Sequence, residues 1–289
     1  MPKTDSQGFQ ELLHNLEITN LQASAAAAHQ EHVRKAVKEG LVVIDDFLTG
    51  SYMRNTMIAP LDEADVDIFV VLDNQYYRRD GQAFILDKVK DVLKETFKTS
   101  QISRDGQAVT ISFSDFNVDV VPAFRRRTIF GPSGYRIPDT ITQQWISTDP
   151  QKHVALWSKR NKAQSDKLIP LIKMIKGWNK ENGKLFHSFH LECLILRIMH
   201  WYTIKDYPSA VPYVFENARS IFQRVDDPVM YSSVSGYLNT PDKINAVSYQ
   251  LEKAYRRAKN AEEWMRFGNS EDAYYYWSKL FGQYFPAFG

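Results

Sequence analysis

A single cysteine, Cys193, in 289 residues excludes an intramolecular disulfide and any multi-cysteine zinc site. It falls in an apolar helical stretch, the setting of a packing residue rather than a reactive thiol. No stretch approaches roughly 18 consecutive apolar residues, so no membrane span is expected. The N-terminal MPKTDSQGFQELL lacks the apolar core of a signal peptide, and a cytoplasmic address follows as the expectation. Charge of one sign is also missing: 36 basic residues stand against 34 acidic ones, for a net +2. A surface coated for nucleic acid needs more imbalance than that, so no stable nucleic-acid partner is expected. There is no internal repeat and no low-complexity segment.

What the chain does have is an ordinary globular composition, 44% hydrophobic and 24% charged, at a length that suffices for two lobes sharing one cleft. Apolar residues recur every three or four positions over residues 8–39 with no proline among them. That pattern predicts one long helix ended by Gly40, a brace occupying residues 1–40. Val42–Phe47 reads as a short strand, followed by a tight turn at Thr49-Gly50-Ser51 and a short helix over 52–57. Val66–Leu72 is apolar on both faces and is expected to be a central strand. Phe84–Phe97 is an amphipathic helix, Ala108–Phe113 alternates as a half-buried strand, and Asn117–Val121 is a strand closed by Pro122. Helices follow over 150–162, 164–181, 187–205, 209–224, 242–262 and 270–281. The Gly/Pro-rich GPSGYRIPDTIT (131–142) reads as the crossing from a mixed α/β lobe, 41–142, to a helical lobe, 143–289.

Chemistry concentrates in Gly50–Leu72. A glycine before Ser51 lets a turn approach phosphates closely, where backbone N–H groups and the Ser51 hydroxyl can hold an anion. Fifteen residues past Gly50 stand Asp65 and Asp67, which leave an extended strand on one face. Two carboxylates so close repel each other unless a cation lies between them, and Mg²⁺ is held by such carboxylates together with substrate phosphates. Asp119 is a lone charge in a strand apolar at Val118, Val120 and Val121, and a buried charge costs several kcal/mol unless it is paired or bound to metal. Three carboxylates on neighbouring strands can hold two Mg²⁺ roughly 3.5–4 Å apart, with Mn²⁺ as a substitute, for in-line phosphoryl chemistry. Asp119 is then the candidate for orienting or deprotonating an attacking hydroxyl. Asp115 competes for that role but sits in a polar turn.

Gly-Ser, fifteen residues, Asp-x-Asp and a third Asp on a later strand resemble the DNA polymerase β-like nucleotidyltransferase superfamily. Further motifs narrow the resemblance: Asp46-Phe-Leu-Thr-Gly-Ser-Tyr, Ile137-Pro-Asp139 with Trp145, Thr148-Asp-Pro150, Ser188-Phe-His-Leu-Glu192 and Trp277-Ser-Lys-Leu-Phe-Gly282. Together they resemble the cGAS/DncV-like nucleotidyltransferases, the cyclic-oligonucleotide synthases of bacterial anti-phage (CBASS) signalling. The resemblance implies an α+β fold, a polymerase β-like palm plus a C-terminal helical lobe with the active site in the cleft between them. It implies Mg²⁺-dependent condensation of nucleoside triphosphates, ATP among them, into a cyclic di- or trinucleotide that activates a separate effector. By motif match, Lys173 (with Lys176 next in line) and Ser188 would hold the donor triphosphate, and Phe189 would stack on a base. The C-terminal Gly289 matches the residue through which some members are joined to other molecules by a ubiquitin-like transferase. The chain departs from the animal synthases that carry a zinc-bound insertion, since His187 and His190 have no cysteine partners.

Other features read as structural. Arg125–Arg127 is a solvated charge run, Tyr274-Tyr-Tyr-Trp277 is C-terminal core, and Asp227-Pro228 is a turn. Two alternatives stay open: a polymerase β-like transferase acting on tRNA ends or small molecules, and a nucleic-acid-gated linear oligoadenylate-type synthase or sensor. Binding of tRNA would show steep salt dependence.

Overall fold

Thr4 and Thr19 each start a helix, and the second of them breaks the long helix expected over residues 8–39. The structure, a computed structural model, describes residues 4–60, 65–128 and 131–289. It shows α1 (Asp5–Leu16) and α2 (Asn20–Gly40) in place of one brace. The Thr19 hydroxyl accepts from the Gln22 N–H at 3.2 Å, and the Gln22 side chain accepts from the Thr19 N–H at 2.9 Å. This reciprocal cap satisfies donors that a new helix start would otherwise leave open, so the chain can afford the break.

Among the described residues seven strands follow: β1 (Val43–Leu48), β2 (Asp65–Leu72), β3 (Gln101–Asp105), β4 (Ala108–Ser112), β5 (Asn117–Thr128), β6 (Gly131–Asp139) and β7 (Gln144–Thr148). Their order is β1-β2-β5-β4-β3, with β6 pairing β5 and β7 pairing β6. Among the described residues, β2 and β5 are the only paired strands that run parallel. Helix α4 (Gln82–Thr96) and α2 cover one face, burying Val33, Val37, Ile85 and Val89 against Val66, Ile68, Val70, Val118 and Val120. Each such side chain contributes about 1.5–3 kcal/mol by leaving water. The other face of β2 buries Phe69 and Val71 with Ala123, Tyr135 and Ile137. Its two-sided burial is the reason for its continuous apolar run.

Two differences from the expected elements bear on the sheet. β5 continues through Pro122 to Thr128. On one flank β4 has ended at the Val109–Val120 pair and β6 has not begun until the Arg136–Phe124 pair, so a missing N–H forfeits no ladder bond there. The 131–142 segment is strand β6 and the turn into β7, not an interdomain crossing; Asp139 accepts from the Ile141 N–H at 2.9 Å and the Thr142 hydroxyl at 2.8 Å. Gly134, at φ +71°, lies beside a register shift in the β5–β6 pairing, and a Cβ there would stand 2.7 Å from the Thr148 carbonyl.

Asp46 of β1 fastens α2 to the sheet. Its side chain is nearly inaccessible and pairs with Arg34 and, at 2.6 Å, with Lys38. Burial alone would raise its carboxyl, but the hydrogen bonds from Arg34 and Lys38 outweigh that and hold it below its ordinary value.

The remaining helices are α5 (Pro150–Ala163), α6 (Leu168–Glu181), α7 (Ser188–Ile198), α8 (Tyr207–Ile221), α9 (Pro241–Arg266) and α10 (Ser270–Phe281). Asp149 caps α5 by accepting from the Lys152 N–H at 3.1 Å, with Pro150 at the first helical position. Helix α1 packs within this helical assembly: Phe9 meets Trp277 edge-on at 5.0 Å, and the Trp277 Nε1–H donates to Asp5 at 3.2 Å. The chain divides into two compact units, Ile18–Ala155 and Met1–Glu17 with Leu156–Gly289. The unit boundaries thus lie at 17/18 and 155/156 rather than at 40/41 and 142/143, because α1 packs with α10 and β7 completes the sheet. Among the described residues no helix is long and apolar enough to cross a membrane.

Candidate active site

Gly50 follows β1 and opens α3 (Gly50–Met53), with φ at +66°. The turn of helix starts two residues before the expected 52–57. A Cβ at this position would lie 1.7 Å from Asp67 Oδ2 and 2.6 Å from Asp67 Cγ. Glycine is therefore required twice, for the left-handed backbone and for the carboxylate packed on its Cα. The Thr49 N–H donates to the Asp67 carbonyl at 2.9 Å, which ties the turn to β2. Ser51, the next residue, is half-buried, and its carbonyl accepts from the Thr56 N–H at 2.9 Å.

Asp65 and Asp67 alternate on β2, and the parallel register sets Asp67 opposite Asp119 and Asp65 opposite Asn117. Paired residues of neighbouring strands project to the same face, so all three carboxylates share one. Asp65 is exposed; Asp67 and Asp119 are half-buried. Thr110, opposite Asp119 on β4, donates its hydroxyl to Asp119 Oδ1 at 2.6 Å. Burial pushes the Asp119 carboxyl above its ordinary value; the Thr110 hydrogen bond opposes this and the charge of Asp65 adds to it. Sequence reasoning missed Thr110, whose only signal was its polar place in the alternation of β4.

Among the described residues, no group of three or more His, Cys, Asp and Glu side chains is set to hold a metal ion. The carboxylates of Asp65, Asp67 and Asp119 are neighbours by register, and Asp119 is turned to Thr110. The donor set nonetheless suits a hard divalent cation, being oxygen throughout. The repulsion from Asp65 that helps raise Asp119 is what a cation would relieve. Asp115 lies 3.4 Å from His29.

Lys173, Ser188 and Phe189 lie in the other compact unit. Lys173, on α6, is 3% exposed and pairs with Glu17 at 2.7 Å. It is a buried ion-paired lysine, not a surface lysine lying along an apolar stripe. Lys176 is buried against Glu192 of α7 at 3.4 Å. Ser188 is the exposed first residue of α7, and Phe189 stacks on Trp157 at 5.9 Å with the rings 14° apart. Tyr237 organises this turn: its hydroxyl accepts from the His187 N–H at 3.1 Å and lies 2.8 Å from His190 Nδ1. Burial pushes the His190 imidazole down to about 4, so it is neutral at physiological pH. The remaining motif residues are structural. Asp227 accepts from the Val229 and Met230 N–H groups, and Gly282, at φ +59°, sits where a Cβ would meet Glu181 Oε2 at 2.1 Å.

The model of one protein family, described as the Second Messenger Oligonucleotide or Dinucleotide Synthetase domain, matches residues 3–161. A cyclic AMP-AMP-AMP synthase from an Acinetobacter strain is 27% identical over 305 residues, covering 98% of this chain and 86% of its own. Among solved structures, Escherichia coli MS115-1 CdnC with ATP superposes with a TM-score of 0.79 at 17% identity, covering 98% of this chain and 99% of that one. The apo form of Vibrio cholerae DncV gives 0.65 at 15% identity, covering 84% and 69%. These superpositions establish the expected α+β fold.

Proposed function

This chain belongs to the second messenger oligonucleotide or dinucleotide synthetase family, and from that premise we propose that it is a Mg²⁺-dependent nucleotidyltransferase condensing nucleoside triphosphates into a cyclic di- or trinucleotide. The observation that carries the reading is the register pairing of Asp67 with Asp119 directly beside the Gly50 turn. A relative named for cyclic AMP-AMP-AMP synthesis and a structural neighbour solved with ATP support it.

In each transfer a ribose hydroxyl oxygen of the acceptor bonds to the α-phosphorus of the donor. The α–β phosphoanhydride breaks, pyrophosphate leaves, and the hydroxyl proton passes to a base. Asp119 is the candidate base: its carboxyl is raised by burial, and Thr110 holds one of its oxygens, which fixes its orientation. Asp65, Asp67 and Asp119 would hold the divalent ions, which neutralise the triphosphate and favour ionisation of the attacking hydroxyl. The Gly50–Ser51 turn would carry phosphate oxygens on its N–H groups and on the Ser51 hydroxyl. In the helical unit Lys173 and Ser188 would hold the triphosphate and Phe189 would stack on a base. Passing twice or three times through this chemistry, with the last attack intramolecular, closes the ring. The product would serve as a second messenger for an effector in anti-phage defence.

With Mg²⁺ and all four nucleoside triphosphates, the purified protein is expected to release pyrophosphate and to leave a phosphatase-resistant nucleotide, and chelation should stop both. Pyrophosphate accompanied only by phosphatase-sensitive products would remove cyclisation from the proposal. Intact substrates would remove the whole of it.

A further inference from the structure

The ion pair between Lys173 and Glu17 joins residues 156 positions apart, and its two ends differ in their surroundings. The Lys173 side chain is 4% exposed, on a helix whose Leu171, Ile172, Met174 and Ile175 are buried. Both carboxylate oxygens of Glu17 reach its Nζ, at 2.8 and 2.7 Å. Glu17, by contrast, is 49% exposed. It stands just past the end of α1 in extended backbone (φ −77°, ψ 141°), ahead of the Thr19 cap that starts α2.

That asymmetry decides what each partner needs. An ammonium taken out of water costs several kcal/mol unless an anion meets it, so Lys173 requires a negative partner. A half-exposed carboxylate released from the pair regains water and loses little. The lysine must have an anion, and a phosphate oxygen meets that need as a carboxylate oxygen does. We infer that Glu17 is a built-in competitor for the triphosphate: its carboxylate neutralises Lys173 in the nucleotide-free protein and gives way to phosphate oxygens when a nucleoside triphosphate binds. The inference rests on the assignment of Lys173 as a triphosphate ligand. It makes Glu17 a determinant of substrate affinity, because every bound nucleotide must first displace it, and the apparent affinity is reduced by the fraction of lysine so occupied.

The test is calorimetric titration of the full chain with an α,β-methylene ATP analogue and Mg²⁺, with melting temperatures taken with and without the analogue. Glu17→Gln keeps the shape but removes the charge. It is expected to bind the analogue about 5- to 10-fold more tightly, and to gain more melting temperature from it than the parent does. Lys173→Met should weaken binding by about tenfold or more, and Glu17→Gln should have no further effect in that background. If Lys173→Met weakens binding while Glu17→Gln leaves it equal or weaker, Glu17 only anchors α1 to α6 and the inference is overturned. If Lys173→Met binds like the parent, the assignment of Lys173 is wrong and the inference goes with it. Should Glu17→Gln fail to fold, Glu17→Asp supplies the same reading. Its shorter carboxylate should tighten binding to a lesser degree, and unchanged affinity there also overturns the inference.

Discussion

Asp67 packs its carboxylate against the Cα of Gly50, so closely that a Cβ there would stand 1.7 Å from Oδ2. The Gly50 turn and the acidic strand are thus one unit. The Thr49 N–H bonded to the Asp67 carbonyl locks the same two segments from the backbone side. Asp67 in turn stands opposite Asp119 across the parallel β2–β5 pair. A change at the glycine is therefore transmitted to the carboxylates.

Gly50→Ala is expected to lower turnover by about 100-fold, since a displacement near 1 Å at a reacting centre costs that much. The added methyl must push Asp67 aside and the backbone keeps a positive φ, so the melting temperature should fall by a few degrees as well. Steady-state rates with ATP and a thermal melt check both. A variant with parental turnover would show that the carboxylate position is unimportant.

Asp119→Asn should lose turnover by roughly 10³-fold if Asp119 is the base. Its melting temperature should be equal or higher at neutral pH. The carboxyl is raised in the fold by burial and by Asp65, so ionising it costs stability. That cost appears as pH rises through the ordinary carboxylate value and is complete once pH exceeds the raised one. The stability gap between variant and parent should accordingly close as pH is lowered below about 4. A variant less stable than the parent at pH 7 would contradict the account.

Thr110→Val removes the donor at 2.6 Å from Asp119 with little change of volume. Because that hydrogen bond lowers the Asp119 carboxyl, its loss should raise the carboxyl further and free its orientation. Turnover is expected to fall about 3- to 10-fold with a nearly unchanged KM for ATP, as for a group acting through the base. A change confined to KM would place Thr110 in binding.

Asp46 is expected to contribute to the acid sensitivity of the sheet unit. Arg34 and Lys38 hold its carboxyl below the ordinary value, so its stabilising pairing is intact above about pH 4 and is lost as pH falls through the lowered value. Asp46→Asn should destabilise the protein at pH 7 and flatten the melting-temperature profile between pH 5 and about 3. A parallel profile would indicate that other carboxylates govern acid unfolding.

Much of the sheet was readable because burial on two faces leaves a plain trace: Phe69 and Val71 alternate with Ile68 and Val70, and all are apolar. Asp119 was readable because a charge has no other reason to stand among valines. The break between α1 and α2 was also written in the chain, as Thr-x-x-Gln at Thr4–Gln7 and again at Thr19–Gln22, but unbroken apolar periodicity outweighed it. β6 was hidden by glycines and prolines that serve a bulged strand rather than a linker. β3 was hidden by polarity: it keeps only Ile102 buried at the sheet edge. The Thr110–Asp119 and Lys173–Glu17 pairings depend on strand register and helix packing, which no local pattern encodes. The motif residues Asp46, Asp149 and Trp277 proved to be an anchor, a helix cap and a core ring, so part of the family signature is scaffold.

The most direct test of the central claim is mass spectrometry of the nucleotides left after the full chain is incubated with Mg²⁺ and all four nucleoside triphosphates, beside the Asp67→Asn variant. The account predicts a species of two or three nucleoside monophosphate units, each short of one water and none bearing a terminal phosphate, that is absent with the variant. Linear products that keep a 5′-triphosphate, untouched substrates, or the same cyclic species from Asp67→Asn would contradict it.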